Sequence, residues 1–173
     1  HRPSRQLPTI MESPLQLRRR IFDAARIGDE PALRTAVSEA LAAGIDPHSG
    51  YELIWGTGNA PMRLAATRGH ESCILTLVEF GADVLEVSSL GRTVIHVAVE
   101  GGRESCIRMF VAMGVDPNRA ANNVWTPCHT AAAQGQDSCL KALMELGANA
   151  SQANNYGHTP SALANNQDTR ELI

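Results

Sequence analysis

The sequence predicts an all-α repeat protein, a solenoid stacked from short helix pairs, and three observations carry that expectation. A step of 33 residues superposes Ala60-Pro61-Met62-Arg63-Leu64-Ala65-Ala66 on Thr93-Val94-Ile95-His96-Val97-Ala98-Val99 and on Thr126-Pro127-Cys128-His129-Thr130-Ala131-Ala132, with a fourth start at Thr159-Pro160. The same step relates Gly69, Gly102 and Gly135, then Cys73, Cys106 and Cys139, then Gly81, Gly114 and Gly147. Aromatic residues make up only 4% of the 173-residue chain, too few to fill one thick core, whereas Ala and Leu suit a thin stack.

The first unit reads as a cap. Ser13-Pro14-Leu15-Gln16 supplies an N-cap hydroxyl, a proline at the first helical position and a Gln that can reach back. Gly28 to Gly44 spans 16 residues against 12 for Gly69 to Gly81, which lengthens the second helix of the cap by about one turn. The connection that follows is also four residues longer, 17 from Gly44 to Pro61 against 13 from Gly81 to Val94.

Where Thr is followed by Pro, at Thr126-Pro127 and Thr159-Pro160, a cap and a pre-set φ start a short helix. Small Ala65, Ala98, Ala131 and Ala164 let neighbouring helices approach, and Gly69, Gly102 and Gly135 end them. A second helix opens on Glu71, Glu104 or Asp137, acids that suit the positive end of its dipole. Ile74, Leu77, Val78; Ile107, Phe110, Val111; and Leu140, Leu143, Met144 have the spacing of one buried face.

Composition excludes several functions. No apolar run approaches the roughly 18 residues of a membrane span. The net charge of −3 divides into +4 over residues 1–20 and −7 over the remainder, so the body is a poor match for nucleic acid. Gly56-Thr57-Gly58 lacks the third glycine and the preceding strand of a dinucleotide fingerprint. His70 with Cys73, or Cys128 with His129, gives no four converging ligands, so neither a metal nor any other cofactor is expected. Adjacent Cys128 and His129 point about 100° apart on a helix, which argues against a Cys/His nucleophile pair. Three cysteines recur at one position of successive repeats, on helix axes roughly 8–10 Å apart, beyond disulfide reach. Buried free thiols place the chain in the cytoplasm or another reducing intracellular compartment. The Arg18 to Arg20 run reads as a solvated helix face, with contact to an acidic partner or a membrane surface as the sharper alternative.

Thr126-Pro127-Cys128-His129, Gly69-His70 and Gly81-Ala82-Asp83 resemble the ankyrin-repeat family over roughly residues 20–173. The resemblance implies helix-turn-helix units joined by projecting β-turn fingers in a curved solenoid of about four and a half repeats. It divides the chain into a flexible leader or expression remnant (1–12), an N-terminal capping repeat with a longer second helix (13–50), repeat 2 with an extended finger (51–84), repeat 3 (85–117), repeat 4 (118–150) and a truncated repeat 5 (151–173). It implies that His96 and His129 tie helix starts to neighbouring loops. Arg63 and Ala162 stand where the family pattern has His, Val94 where it has Pro, and Val124 where a finger has Gly. Leu172 and Ile173 fall barely one turn into the last helix, so a longer protein, or a partner over that end, is expected.

Against that frame Phe22, Phe80 and Phe110 serve the stack, while Tyr51, Trp55, Trp125 and Tyr156 fall in fingers. The family's variable contact positions fall on Trp55, Thr57 and Asn59; Ser89, Leu90 and Arg92; Asn122, Asn123 and Trp125; Tyr156 and His158; and, on first helices, Thr67, Arg68, Glu100 and Gln134. With Tyr51 these make a mixed polar surface with aromatic anchors, suited to a protein or peptide. The expected function is a monomeric, non-catalytic protein-interaction scaffold. The alternative is a regulatory or substrate-docking segment of a longer multidomain enzyme.

Overall fold

The computed structural model describes residues 12–51 and 59–173. Helix α1 (Pro14–Ile27) starts where the Ser13 hydroxyl accepts from the Gln16 N–H at 3.3 Å and the Gln16 side chain accepts from the Ser13 N–H at 2.7 Å. This reciprocal box satisfies two amides that no helical carbonyl can reach. A two-residue turn through Gly28 leads into α2 (Glu30–Ala42), which has 13 residues where the second helices of the next three pairs have nine.

The pairs that follow are α3 (Ala60–Arg68) with α4 (Glu71–Glu79), α5 (Val94–Glu100) with α6 (Glu104–Ala112), α7 (Pro127–Gln134) with α8 (Asp137–Glu145), and α9 (Pro160–Leu163) with α10 (Gln167–Leu172). Connections of two or three residues force each pair to run antiparallel. No strand occurs among the described residues. The reciprocal cap recurs at Thr93 with His96 and at Thr126 with His129. At α9 the Thr159 hydroxyl accepts from the Ala162 N–H, but Ala162 has no side chain to return the bond, and α9 runs only four residues.

First helices pack on one another in sequence, α1 on α3, α3 on α5, α5 on α7 and α7 on α9, with the second helices behind them. Ala65, Ala98 and Ala131 are buried where backbones come closest. Cys73, Cys106 and Cys139, with Ile74, Ile107 and Leu140, fill the inner face of the second helices. The predicted apolar stripe is narrower than its spacing suggests: Leu77, Phe110 and Leu143 are buried, but Val78 and Val111 are half-buried and Met144 is exposed. The third residue lies about 100° round from its predecessor and reaches the edge of the contact.

Outside the stack, the Arg34 guanidinium links Glu30 of its own helix to Glu79 of α4, and Arg108 links Glu104 to Glu145 of α8. These half-exposed pairs align second helices and contribute little energy each. The arginine run is largely engaged by the chain itself. Arg18 donates to the Ser49 carbonyl at 2.9 Å, and Arg20 pairs with Glu12 and Glu39. Arg19, beside Asp23, is the most exposed of the three.

Candidate functional site

Three fingers are closed by one bond that repeats at the 33-residue step: the N–H of Ser88 to the Arg92 carbonyl, of Ala121 to Trp125, and of Asn154 to His158, at 2.8–3.0 Å. Fingers are then joined edge to edge, since the Asn122 N–H donates to the Leu90 carbonyl at 2.9 Å and the Asn155 N–H to the Asn123 carbonyl at 3.0 Å. The Asn122 side chain adds a bond to the Ser89 carbonyl. A repeated main-chain ladder therefore holds Leu90, Asn123 and Tyr156, one repeat apart, on a common edge.

The fingers are anchored to the helices from beneath. His96 accepts the Thr93 N–H on Nδ1 and donates from Nε2 to the Trp125 carbonyl at 3.0 Å. His129 makes the same pair of bonds with Thr126 and with the His158 carbonyl. Burial holds the His96 imidazole down at about 4 and lowers that of His129, which keeps both neutral as this bonding requires. The loop bonds that the family resemblance implies for these two histidines are present.

Between these three fingers and the first helices lies an open cleft of about 330 Å³. Leu90, Trp125 and Tyr156 supply its apolar surface, Asn122, Asn123 and Gln134 its carboxamides, and Arg92 and Glu100 an ion pair. Trp125 is half-buried. Its indole N–H donates to the Thr130 hydroxyl at 2.9 Å and its ring lies 5.4 Å from that of His129, so one edge is structural while the residue still lines the cleft. Ala121, Thr130 and Ala133 complete the lining and were not named from the sequence. Ala133 was within reach of it, because it stands one repeat after Glu100 and two after Thr67.

Eight of the sequence-derived positions thus meet in one place. Thr67 bonds back to its own helix at the Arg63 carbonyl, and Arg68 is exposed beside Gly102 and Arg103, away from the cleft. Ser89 and His158 lie on the fingers, exposed, and engage their neighbours through their carbonyls. Trp55 and Thr57 lie outside the described residues.

Two assignments need correction. Tyr51 is fully buried, with its hydroxyl donating to the Pro47 carbonyl at 3.0 Å, and offers no surface to a partner. The segment before it folds back on α1 through the Arg18 bond to Ser49, and burial raises the phenol's pKa. Asn59 is also buried, its amide donating to the Asp83 carbonyl at 3.2 Å. Ala60 occupies the position that holds the capping Thr in the other repeats, so α3 begins one residue early and draws Asn59 inward.

No three His, Cys, Asp or Glu side chains converge among the described residues, and none of the described helices is long and apolar enough to cross a membrane. Cys73, Cys106, Cys128 and Cys139 are buried thiols, and burial pushes Cys106 up to about 11 and Cys128 up to about 12. Their thiolates are correspondingly scarce at neutral pH.

A stack of helix pairs with laddered fingers defines a helical-repeat solenoid. The family described as ankyrin repeats (many copies) matches residues 62–111 and 95–144, so the chain carries ankyrin repeats over 62–144. Ankyrin repeats are generally protein–protein interaction modules and generally non-catalytic. The chain is 37% identical over 82 residues to human (Homo sapiens) ankyrin repeat and SOCS box protein 1, and 35% identical over 82 residues to the mouse (Mus musculus) protein of that name. Each match covers 45% of this chain and 23% of the relative, so the similarity spans less than a quarter of those proteins.

Proposed function

We propose that this chain is a non-catalytic scaffold that holds a protein or peptide segment on its finger and first-helix surface. The observation that carries the reading is the cleft itself, where Leu90, Trp125 and Tyr156 project from successive fingers over one set of first-helix side chains. Leu90 is 61% exposed and Tyr156 68% exposed, and side chains of this size left in water beside a half-buried Trp suit a hot spot. Buried free thiols fit a reducing compartment.

Affinity capture from the native cell tests this, with Leu90→Ala and Trp125→Ala as matched controls. Each substitution is expected to cost a captured partner about 1–3 kcal/mol while the helical melt of the Leu90 variant is unchanged. Partners retained equally by both variants would place binding elsewhere.

A second reading follows from the coverage of the relatives. The matched repeats make up 23% of proteins whose name pairs ankyrin repeats with a SOCS box, so the same surface can serve as the docking or regulatory segment of a longer protein.

A further inference from the structure

The finger from Ala121 to Trp125 is built differently from the two beside it. In its neighbours the turn is closed by a glycine, with the Gly91 N–H donating to the Ser88 carbonyl at 2.7 Å and the Gly157 N–H to the Asn154 carbonyl at 2.9 Å. Each of those turns has one left-handed residue, Gly91 at φ 72 or Gly157 at φ 77, and the residue before it, Leu90 or Tyr156, is not left-handed. The middle finger has two, Asn123 at φ 62 and ψ 21 and Val124 at φ 57, and neither is glycine. Its base is nevertheless the same, since the Ala121 N–H meets the Trp125 carbonyl at 2.8 Å as Ser88 meets Arg92 and Asn154 meets His158. One base thus carries two turn forms in successive repeats.

We propose that this finger is a two-state element, exchanging between the turn in which Asn123 and Val124 are both left-handed and the turn of its neighbours, in which Val124 alone is. Strain at Val124 is common to both forms, so their difference rests on Asn123, and asparagine is among the side chains that enter the left-handed region most readily. A glycine at 124 would instead complete the Asn-Gly pair that fixes the first form. The helices need not move, because both forms close on the same base. The exchange is still felt beyond the finger. The Asn123 carbonyl turns with its residue and accepts the Asn155 N–H of the next finger at 3.0 Å, while the Leu90 and Ser89 carbonyls of the preceding finger hold Asn122. Asn123 also stands on the rim of the cleft, so any molecule that touches this rim with unequal affinity for the two forms shifts their populations by that difference. The device belongs to the free chain and does not depend on what the cleft takes.

The test is the amide NMR spectrum of the full chain and of its Asn123→Gly, Asn123→Ala and Asn123→Leu variants, read at Asn155, whose own sequence neighbours are unaltered in every one. Glycine keeps the left-handed form open at 123, whereas alanine and leucine disfavour it roughly fivefold or more. The wild-type Asn155 resonance is therefore expected to lie between that of Asn123→Gly at one extreme and those of Asn123→Ala and Asn123→Leu, close together, at the other. Slow hydrogen exchange at Asn155 should persist in all of them, because the Leu90 carbonyl, in the neighbours' form, accepts the Asn122 N–H in the same way. A wild-type resonance that coincides with either extreme means a single form and overturns the proposal. So does lost protection of Asn155 in the alanine and leucine variants, which would mean that the finger opens rather than changes its turn.

Discussion

Arg63 donates to the main-chain carbonyl of Arg92, 29 residues on, and His96 to Trp125 and His129 to His158 span the same interval. A departure from the family pattern in sequence is thus a conserved bond in space: the long arginine reaches the acceptor that imidazole meets in the next two repeats. The cost falls on the charge. Imidazole is neutral when buried, whereas the guanidinium carries its charge into a half-buried site, where burial and the nearby Arg92 both depress its pKa. Arg63→His should therefore preserve stability to within about 1 kcal/mol, because a neutral ring restores the donor its neighbours use. Arg63→Leu leaves the Arg92 carbonyl without its donor and should cost about 1–3 kcal/mol. Urea midpoints of the two variants separate these outcomes, and equal losses would show that the bond contributes nothing.

Val124 supplies a second prediction, since it sits at φ 57 directly after Asn123 at φ 62. The equivalent positions in the flanking fingers are Gly91 and Gly157, both also at positive φ. A β-branched side chain in the left-handed region costs roughly 1–2 kcal/mol, and two such residues in succession have the backbone of a primed turn, which favours Asn followed by Gly. Val124→Gly relieves the strain against a glycine entropy cost of about 0.5–1 kcal/mol. A net gain of about 0.5–1 kcal/mol is expected in denaturant unfolding, and a destabilised variant would mean that the valine side chain makes contacts that outweigh its backbone strain.

How far these features were legible depends on how local their causes are. The 33-residue step, the Thr126-Pro127-His129 start and the Ser13 to Gln16 cap are contained within a few residues, and the structure shows helix starts at each. Burial is different. Tyr51 reads as a finger aromatic because nothing nearby in sequence says that Arg18, 31 residues before Ser49, will draw that segment onto α1. Asn59 reads as a finger tip because its burial depends on a missing hydroxyl at Ala60. The cleft was half visible: side chains with chemistry could be carried over by register, whereas Ala121 and Ala133 contribute only absence of bulk.

Gly101, just past α5, lies tight against the end of α3. A Cβ placed there would stand 1.9 Å from the Thr67 carbonyl oxygen, a backbone atom that cannot rotate away. Its φ of −79° and ψ of −7° are ordinary right-handed values, where alanine is normally favoured over glycine by up to about 1 kcal/mol. Gly101→Ala should nevertheless destabilise by about 2–3 kcal/mol, because α3 and α5 must separate and lose packing. The sign decides the matter, and a raised thermal midpoint would show that the helices part without penalty.

The buried histidines make stability depend on pH in one direction. His96 is held down at about 4 in the folded chain, chiefly by burial, against an ordinary value near 6.5 when unfolded, and His129 is lowered for the same reason. Between those values the unfolded chain binds a proton that the folded chain does not, so stability rises with pH there and falls on acidification. The contribution is fully present above about pH 6.5 and is lost progressively down to about pH 4, at a slope approaching 1.4 kcal/mol per pH unit for His96 alone. Acid also removes part of the geometry: protonated Nδ1 can no longer accept the Thr93 N–H, so the cap of α5 is lost while Nε2 goes on donating to the Trp125 carbonyl. Urea midpoints at pH 7.5, 6 and 5 should decline, and His96→Gln, less stable at pH 7.5, should decline less steeply across the same range. Parallel slopes for the two proteins would place the acid sensitivity on other groups.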